Sequence, residues 1–221
     1  MMMAVALIRM IVIVACLEAV VASPLSAETA NFEGDTVGGP PRGWLLTMTG
    51  RGTPKWTVER DDSVSPAGNV LKQSGKATYP LALKEGTDIR DGFVEVKFMP
   101  ISGSEDRAGG IVWRARDADN YYVVRANALE GNVVLYKTVN GTRSSLDLIG
   151  QKGGYGVKTA VASNQWHTLR VEFTGPRFMV SFNGKSLLEV EDKTFPDGGM
   201  IGLWTKADSI TAFSNVVYGR K

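Results

Sequence analysis

The sequence predicts an all-β chain folded as an antiparallel sandwich or barrel. Apolar and polar residues alternate with a period of two through most of the 221-residue chain, as they do in half-buried strands. Gly, Asn, Asp and Pro separate these runs, and several runs lie 8 to 14 residues apart, which is typical of antiparallel sandwiches and barrels. After residue 27 no segment carries ten or more residues of helical periodicity.

Nine runs show the alternation most clearly. In 121–129 it puts Tyr121, Arg125 and Asn127 on one face, and the mostly small and apolar residues between them on the other. In 110–116 it puts Trp113 on the core face and Arg114 on the opposite face. The predicted strands are 93–98, 110–116, 121–129, 133–139, 166–173, 177–182, 186–190, 200–205 and 211–218.

Two tight turns punctuate the second half of the chain. Asn140-Gly141 and Asn183-Gly184 each separate two alternating runs. Asn-Gly accepts positive φ at both central positions, as a type I′ hairpin requires. The stretches 34–43 and 61–69 are rich in turn residues and predict long loops. We find no linker and no internal repeat, so the sequence predicts one domain over 28–221.

The N-terminus predicts a secretory signal peptide over residues 1–27. Arg9 precedes a short apolar run, and small residues at 23–27 allow cleavage before Glu28. The apolar run is too short to span a bilayer, so we expect a secreted or periplasmic protein without a transmembrane span. Two alternatives stay open: a lipobox ending at Cys16, and an ordinary buried N-terminal helix.

Composition excludes several classes of function. The 25 Lys and Arg residues nearly balance 23 Asp and Glu residues, which argues against nucleic-acid binding because that requires a clustered basic surface. A single His excludes multi-histidine metal sites, and a single Cys excludes internal disulfides and zinc ribbons. We expect a monomer without a resident cofactor.

Several motifs together resemble the concanavalin-A-like lectin/glucanase superfamily, whose fold is a two-sheet jelly roll. The chain is most similar to the 3-keto-disaccharide hydrolase domain, formerly a domain of unknown function and related to laminin-G-like modules. The resemblance covers nearly all of residues 30–219. Its motifs are Trp44, W-T-V at 56–58, D-G-F-V-E-V at 91–96, G-G-I-V-W-R at 109–114, the run 117–125, W-H-T-L-R-V at 166–171, the Asn183-Gly184 turn, G-L-W-T at 202–205 and Phe213.

The resemblance implies carbohydrate recognition, and the outward faces of the strands offer residues for it. Aromatic rings stack on the apolar face of a sugar, while Arg, Asn and Lys bond its hydroxyls. An unpaired Arg125 is costly to bury, so its guanidinium should reach solvent, a carboxylate such as Glu95, or a ligand. Ordinary solvent-facing residues of a half-exposed sheet are the alternative interpretation. The candidate ligand-binding residues are Arg114, Tyr121, Arg125, Asn127, Trp204 and Lys206.

The resemblance also implies hydrolysis or elimination at a 3-keto-glycoside, in which a base removes the proton beside the carbonyl. Glu95, Tyr121 and Lys137 are candidates for this chemistry, but no motif assigns their roles. A non-catalytic carbohydrate-binding or cell-envelope interaction protein is the alternative. In the run 117–120, Asp117, Asp119 and Asn120 offer the oxygen ligands that calcium prefers, although Asx turns explain the same residues.

Overall fold

A computed structural model describes residues 27–221, which form sixteen β-strands. The predicted signal peptide and the Cys16 alternative fall almost wholly outside these residues. The strands are β1 Ala27–Ala30, β2 Trp44–Thr53, β3 Trp56–Asp61, β4 Gly68–Gln73, β5 Lys76–Lys84, β6 Gly92–Ser102, β7 Ala108–Asp117, β8 Asn120–Asn127, β9 Asn132–Val139, β10 Thr142–Ser145, β11 Val157–Lys158, β12 His167–Thr174, β13 Arg177–Phe182, β14 Lys185–Glu191, β15 Met200–Trp204 and β16 Ile210–Arg220.

The strands form two antiparallel sheets of eight strands each. The first sheet runs β14-β13-β12-β6-β16-β4-β3, and β1 adds to β16. The second sheet runs β10-β9-β8-β7-β15-β5-β2, and β11 adds to β9. All nine predicted strands are present with small shifts at their ends, so the all-β jelly roll is confirmed. Among the described residues no helix is long and apolar enough to cross a membrane.

The main core lies between the two sheets and contains the inward residues of each alternating strand. On β8, Tyr122 and Val124 face this core, whereas Tyr121 and Val123 belong to a second apolar cluster on the other face of the sheet. Trp113 of β7 is fully buried and stacks on Tyr122, with ring centroids 5.4 Å apart. The predicted division of faces on β8 and the core position of Trp113 are therefore confirmed.

Both Asn-Gly turns are two-residue hairpins. The φ angles are 48° and 77° at Asn140-Gly141, and 48° and 75° at Asn183-Gly184. Each turn joins directly paired residues, Val139 with Thr142 and Phe182 with Lys185. The predicted loop 34–43 lies within the connection between β1 and β2, and the predicted loop 61–69 is shorter, because β3 ends at Asp61 and β4 begins at Gly68.

The second sheet is strongly curled. Three strands separate β2 from β8 in this sheet, which would place them about 19 Å apart if the sheet were flat. Nevertheless, the Thr49 hydroxyl of β2 lies 2.8 Å from the Tyr121 hydroxyl of β8. The outer face of the sheet therefore closes toward itself, and we call this concave face the trough. Its apolar floor includes Leu81, Val112, Val123, Val134 and Trp204.

Candidate carbohydrate site

A continuous polar network crosses the trough from the end of β15 to the turn after β8. The Lys206 ammonium lies 2.5 Å from Asp106 Oδ2. Asn127 Nδ2 donates to Asp106 Oδ1 at 2.6 Å and to Glu130 Oε1 at 3.2 Å. Glu130 Oε2 then accepts from Arg125 Nη2 at 2.7 Å. The network links opposite charges that come from β8 and from the loops at its end.

Arg125 is the most connected member of this network. Its side chain is only 1% exposed, and Nη2 also donates to the Tyr136 hydroxyl at 3.0 Å and the Tyr155 hydroxyl at 3.2 Å. Nη1 donates to the side-chain oxygen of Asn132. The carboxylate partner of Arg125 is therefore Glu130, and the expectation that Glu95 could fill this role is wrong, because Glu95 pairs with Arg170 on the first sheet.

Glu130 is ionised at neutral pH. Burial alone would raise its pKa, but the positive charge of Arg125 and hydrogen bonds from Asn132 and Arg125 hold the pKa below its usual value. Its side chain is still 34% exposed, so the carboxylate faces the network on one side and solvent on the other. A partly exposed, ionised carboxylate can accept hydrogen bonds from a ligand.

Aromatic rings form a wall next to the polar network. Tyr79 of β5 stacks on Trp204 of β15 with centroids 5.5 Å apart. The Arg143 guanidinium of β10 lies 4.6 Å from the Tyr79 centroid, 4.2 Å from that of Tyr136 and 5.4 Å from that of Trp204. Because β10 and β5 lie near opposite ends of the sheet, Arg143 spans the trough, as only a curled sheet allows.

A cleft of about 400 Å³ adjoins this wall. Tyr79 and Lys206 line it, so it touches both the aromatic wall and the polar network. The other charged side chains in its lining are Arg51, Lys76 and Glu105. The arrangement joins a flat apolar surface to several hydrogen-bonding groups, which is how sugar-sized ligands are held.

The structure brings five of the six predicted ligand-binding residues onto the trough: Tyr121, Arg125, Asn127, Trp204 and Lys206. They differ in accessibility. Lys206 is partly exposed, whereas Tyr121 and Trp204 are fully buried. Burial raises the pKa of Tyr121, whose hydroxyl bonds to Thr49 inside the trough. Tyr121 and Trp204 therefore belong to the buried floor of the trough and are not accessible to a ligand.

Arg114 lies elsewhere. Alternation along 110–116 predicts that Arg114 shares a face with the trough residues, and this prediction is wrong. The φ angle at Arg114 is 48°, and the β7–β8 register shifts between Trp113 and Asp117. A β-bulge breaks the alternation and redirects the side chain. Its guanidinium donates to Arg90 O, Phe195 O and Gly175 O and contacts Asp91. Arg114 therefore cross-links loops near the far end of β7.

The three catalytic candidates are not brought together. Glu95 pairs with Arg170 on the first sheet, and Tyr121 is enclosed in the trough. Lys137 donates to Asp192 Oδ2 and Thr194 Oγ1, both at 2.8 Å. The Tyr122 hydroxyl donates to the other oxygen of Asp192 at 2.6 Å. Lys137 thus belongs to a second polar cluster, which it forms with Tyr122, Asp192 and Thr194.

The acidic run before β8 forms a tight turn. Asp117 Oδ1 accepts from the Asp119 amide at 2.7 Å and from Asn120 Nδ2 at 3.0 Å, which is an Asx-type arrangement. Within residues 27–221 no three His, Cys, Asp or Glu side chains are grouped to hold a metal ion.

Six site residues were missed by sequence reasoning: Tyr79, Asp106, Glu130, Tyr136, Arg143 and Tyr155. A signal existed for two of them. Alternation along 133–139 puts Tyr136 on the face opposite Leu135, and the Asn140-Gly141 hairpin pairs Arg143 with Thr138 on the same face as Tyr136. Glu130 lies in the turn directly after β8, and its contact with Arg125 depends on the path of that turn. Tyr79, Asp106 and Tyr155 come from strands or loops whose position relative to β8 depends on the whole fold.

Comparison with known proteins agrees with this architecture. The family model for the 3-keto-alpha-glucoside-1,2-lyase-like domain matches residues 32–217, and the chain belongs to this family. A comparison with curated protein sequences returned no match.

Solved structures with the same fold include a carbohydrate binding module and a β-glucanase. The carbohydrate binding module CBM66 from Bacillus subtilis is 22% identical, with a TM-score of 0.63, over 80% of this chain and 95% of the module. The Bacillus licheniformis β-glucanase is 12% identical, with a TM-score of 0.55, over 89% of this chain and 98% of the enzyme. At these identities the likeness establishes the concanavalin-A-like jelly roll.

Proposed function

We propose that this protein is exported and recognises a carbohydrate at the trough and its adjoining cleft. The observation that carries the proposal is the meeting of an aromatic wall with a polar network whose ends are partly exposed. The Tyr79 ring and the Lys206 ammonium line the cleft, and Glu130 is a partly exposed acceptor farther along the same polar network. Stacking and hydroxyl bonding then act on the same sugar. Family membership and the carbohydrate-binding name of one fold neighbour support this proposal.

A matched pair of variants tests the position of the site. Glu130→Gln removes the charge of a carboxylate that is 34% exposed and paired with Arg125. Glu172→Gln makes the same change at a carboxylate that is 33% exposed and paired with Arg170 on the first sheet. After a glycan array identifies a ligand, titration calorimetry should show weaker binding by about tenfold for Glu130→Gln only. Equal affinities for both variants would place the ligand outside the trough.

Cleavage of a 3-keto-glycoside at the same site is a second candidate function, and the position of Glu130 favours it. The C3 carbonyl of such a sugar acidifies the C2–H bond. Glu130 would take that proton, the C1–C2 double bond would form, and the C1–O bond would break as Lys206 gives a proton to the leaving oxygen. Lys206 pairs with Asp106, and Asn127 donates to both Asp106 and Glu130, so the polar network places Lys206 and Glu130 in the same part of the trough.

An assay on 3-keto-disaccharides separates the enzyme from the binding module. An enzyme should release the second sugar and form the unsaturated ketone, and Glu130→Gln should slow this reaction by at least about a hundredfold. Binding of the 3-keto-disaccharide without product release would support the non-catalytic function. Loss of activity in Glu172→Gln as well would indicate a general effect on folding.

Mass spectrometry tests the proposed export, and light scattering tests the proposed monomeric state. Intact mass of the protein recovered from the periplasm or medium should show an N-terminus at Glu28, and light scattering should give a monomer. A diacylated Cys16 as the first residue would contradict this part of the proposal and support anchoring to a membrane by lipid.

A further inference from the structure

Arg143 differs from the other arginines that lie over aromatic rings. Five arginines in residues 27–221 do so: Arg114, Arg116, Arg125, Arg143 and Arg170. Four of them also contact a carboxylate, as Arg125 contacts Glu130 and Arg170 contacts Glu95. Arg143 has no carboxylate within 4 Å in the described chain, and its Nη1 atom is buried without a hydrogen-bond partner. Its charge is compensated only by the rings around it.

Unpartnered donors collect in the same place. Seven buried side-chain polar atoms in residues 27–221 lack a partner, and four lie in the trough: Arg125 Nε, Thr138 Oγ1, Arg143 Nη1 and Trp204 Nε1. Three of these four atoms are N–H groups, which can only donate. A buried donor without an acceptor is unfavourable, and such groups in native proteins call for a specific explanation. Thr138 and Trp204 lie beside the Tyr121 hydroxyl inside the trough, and Arg125 is fully buried. Arg143 is partly exposed, so it is the member of this group that a ligand with acceptors could reach.

The charged side chains that line the cleft are mostly cationic. Its lining holds Arg51, Lys76 and Lys206 but a single acid, Glu105. Lys76 pairs with Glu105, and Lys206 pairs with Asp106 behind it. Arg51 has no carboxylate within 4 Å among residues 27–221. Tyr79, which Arg143 contacts, lies in the same lining. Arg143 lies over the Tyr79 ring and Arg51 lines the same cleft, and neither contacts a carboxylate among residues 27–221.

We propose that the saccharide bound here is acidic, and that Arg143 receives the carboxylate of a uronic acid residue. This inference depends on the proposed carbohydrate function and specifies its ligand. The Arg143 side chain is partly exposed, and the planar edge of a guanidinium can donate two parallel hydrogen bonds to a planar carboxylate. Tyr79 would contact the sugar ring, and Arg51 would add positive charge at the mouth of the cleft.

The test compares acidic and neutral sugars of the same shape. Trisaccharides of glucuronate, galacturonate and mannuronate are titrated into the purified exported protein, each beside the neutral hexose trisaccharide of the same linkage. At least one uronate should bind about tenfold to a hundredfold more tightly than its neutral counterpart. Its binding should weaken as salt rises from about 0.05 M to about 0.5 M. Equal affinity for the two members of each pair would overturn the inference.

Variants assign the preference to Arg143. Arg143→Gln should bring the acidic and neutral affinities together, and Arg143→Lys, which keeps the charge without the fork of donors, should retain part of the difference. Arg170→Gln on the first sheet should retain the full preference. Melting curves confirm that each variant is folded. A preserved preference in Arg143→Gln would overturn the assignment.

The outcomes also separate this inference from the proposed function. Binding of neutral sugars at the trough without a preference for uronates would leave carbohydrate recognition intact and remove only the acidic ligand. Failure of the folded protein to bind any saccharide, here or on a glycan array, would remove both.

Discussion

Replacing Arg125 by Met tests whether the polar network is part of the stability of the fold. Arg125 is buried and donates to Glu130, Tyr136, Tyr155 and Asn132. Methionine fills a similar volume but donates to none of them. The variant therefore removes a buried cation from its partners without opening a large cavity.

The expected loss of unfolding free energy depends on which hydrogen bonds the partners of Arg125 keep in the variant. Removing one member of a buried ion pair costs about 3–5 kcal/mol. Here Glu130 keeps amide donors from Asn132 at 3.1 Å and Asn127 at 3.2 Å, and it reaches solvent. The Tyr136 and Tyr155 hydroxyls keep each other at 2.5 Å. We therefore expect the lower end, about 3 kcal/mol, which lowers the melting temperature by roughly 6–12 °C for a domain of this size.

Urea unfolding followed by tryptophan fluorescence measures this cost. Arg170→Met is the matched control, because Arg170 also stacks on a ring and pairs with Glu95 and Glu172, yet its side chain is 28% exposed on the first sheet. It should lose no more than about 1 kcal/mol. An Arg125→Met protein within about 1 kcal/mol of the wild type would refute the reasoning that the network stabilises the fold.

Three further expectations concern the turns, the curl and the second polar cluster. Gly184→Val should cost about 1–3 kcal/mol from backbone strain alone, since φ is 75° and nothing lies within 4 Å of an added Cβ. Gly184→Asn should melt much closer to the wild type, and equal melting of all three proteins would contradict the turn assignment. Thr49→Val, which leaves the Tyr121 hydroxyl without this partner, should cost about 1–3 kcal/mol in urea unfolding, and no loss would argue against the closed curl. Burial would raise the pKa of Asp192, but hydrogen bonds led by Lys137 hold it below its usual value. Its stabilisation is therefore present above the unfolded pKa of about 3.9 and is lost as pH falls through the folded pKa. Melting curves between pH 7 and pH 2 should show a shallower acid decline for Asp192→Asn, and an identical decline would contradict the shift.

The structure shows why the strand faces could be read from the sequence while part of the site could not. Alternation along β8 is local, so Tyr121, Arg125 and Asn127 were assigned to one face correctly. The same rule fails at Arg114, because a bulge changes the register there. Nothing in the residues G-I-V-W-R-A-R marks the position of that bulge.

The carboxylate partner of Arg125 is a second feature that strand alternation alone does not predict. Glu95 was a reasonable carboxylate from face alternation alone, but β6 and β8 belong to different sheets. Glu130 is five residues from Arg125 along the chain, in the turn that follows β8. Which acid meets the guanidinium thus depends on strand order and on the path of a turn, and neither property is encoded in the period of a single strand.

Local chemistry in the sequence determined the fold class, most of the strands, both Asn-Gly hairpins and the outward face of β8, because side-chain alternation and positive φ act over a few neighbouring residues. Tertiary structure decided which residues of other strands meet the outward face of β8 in the trough. Curling of the second sheet brings β2 onto β8 and Arg143 of β10 against Tyr79 of β5, and the bulge removes Arg114 from the trough. These contacts join residues from distant strands, and they form only when the sheets have their final order and curvature.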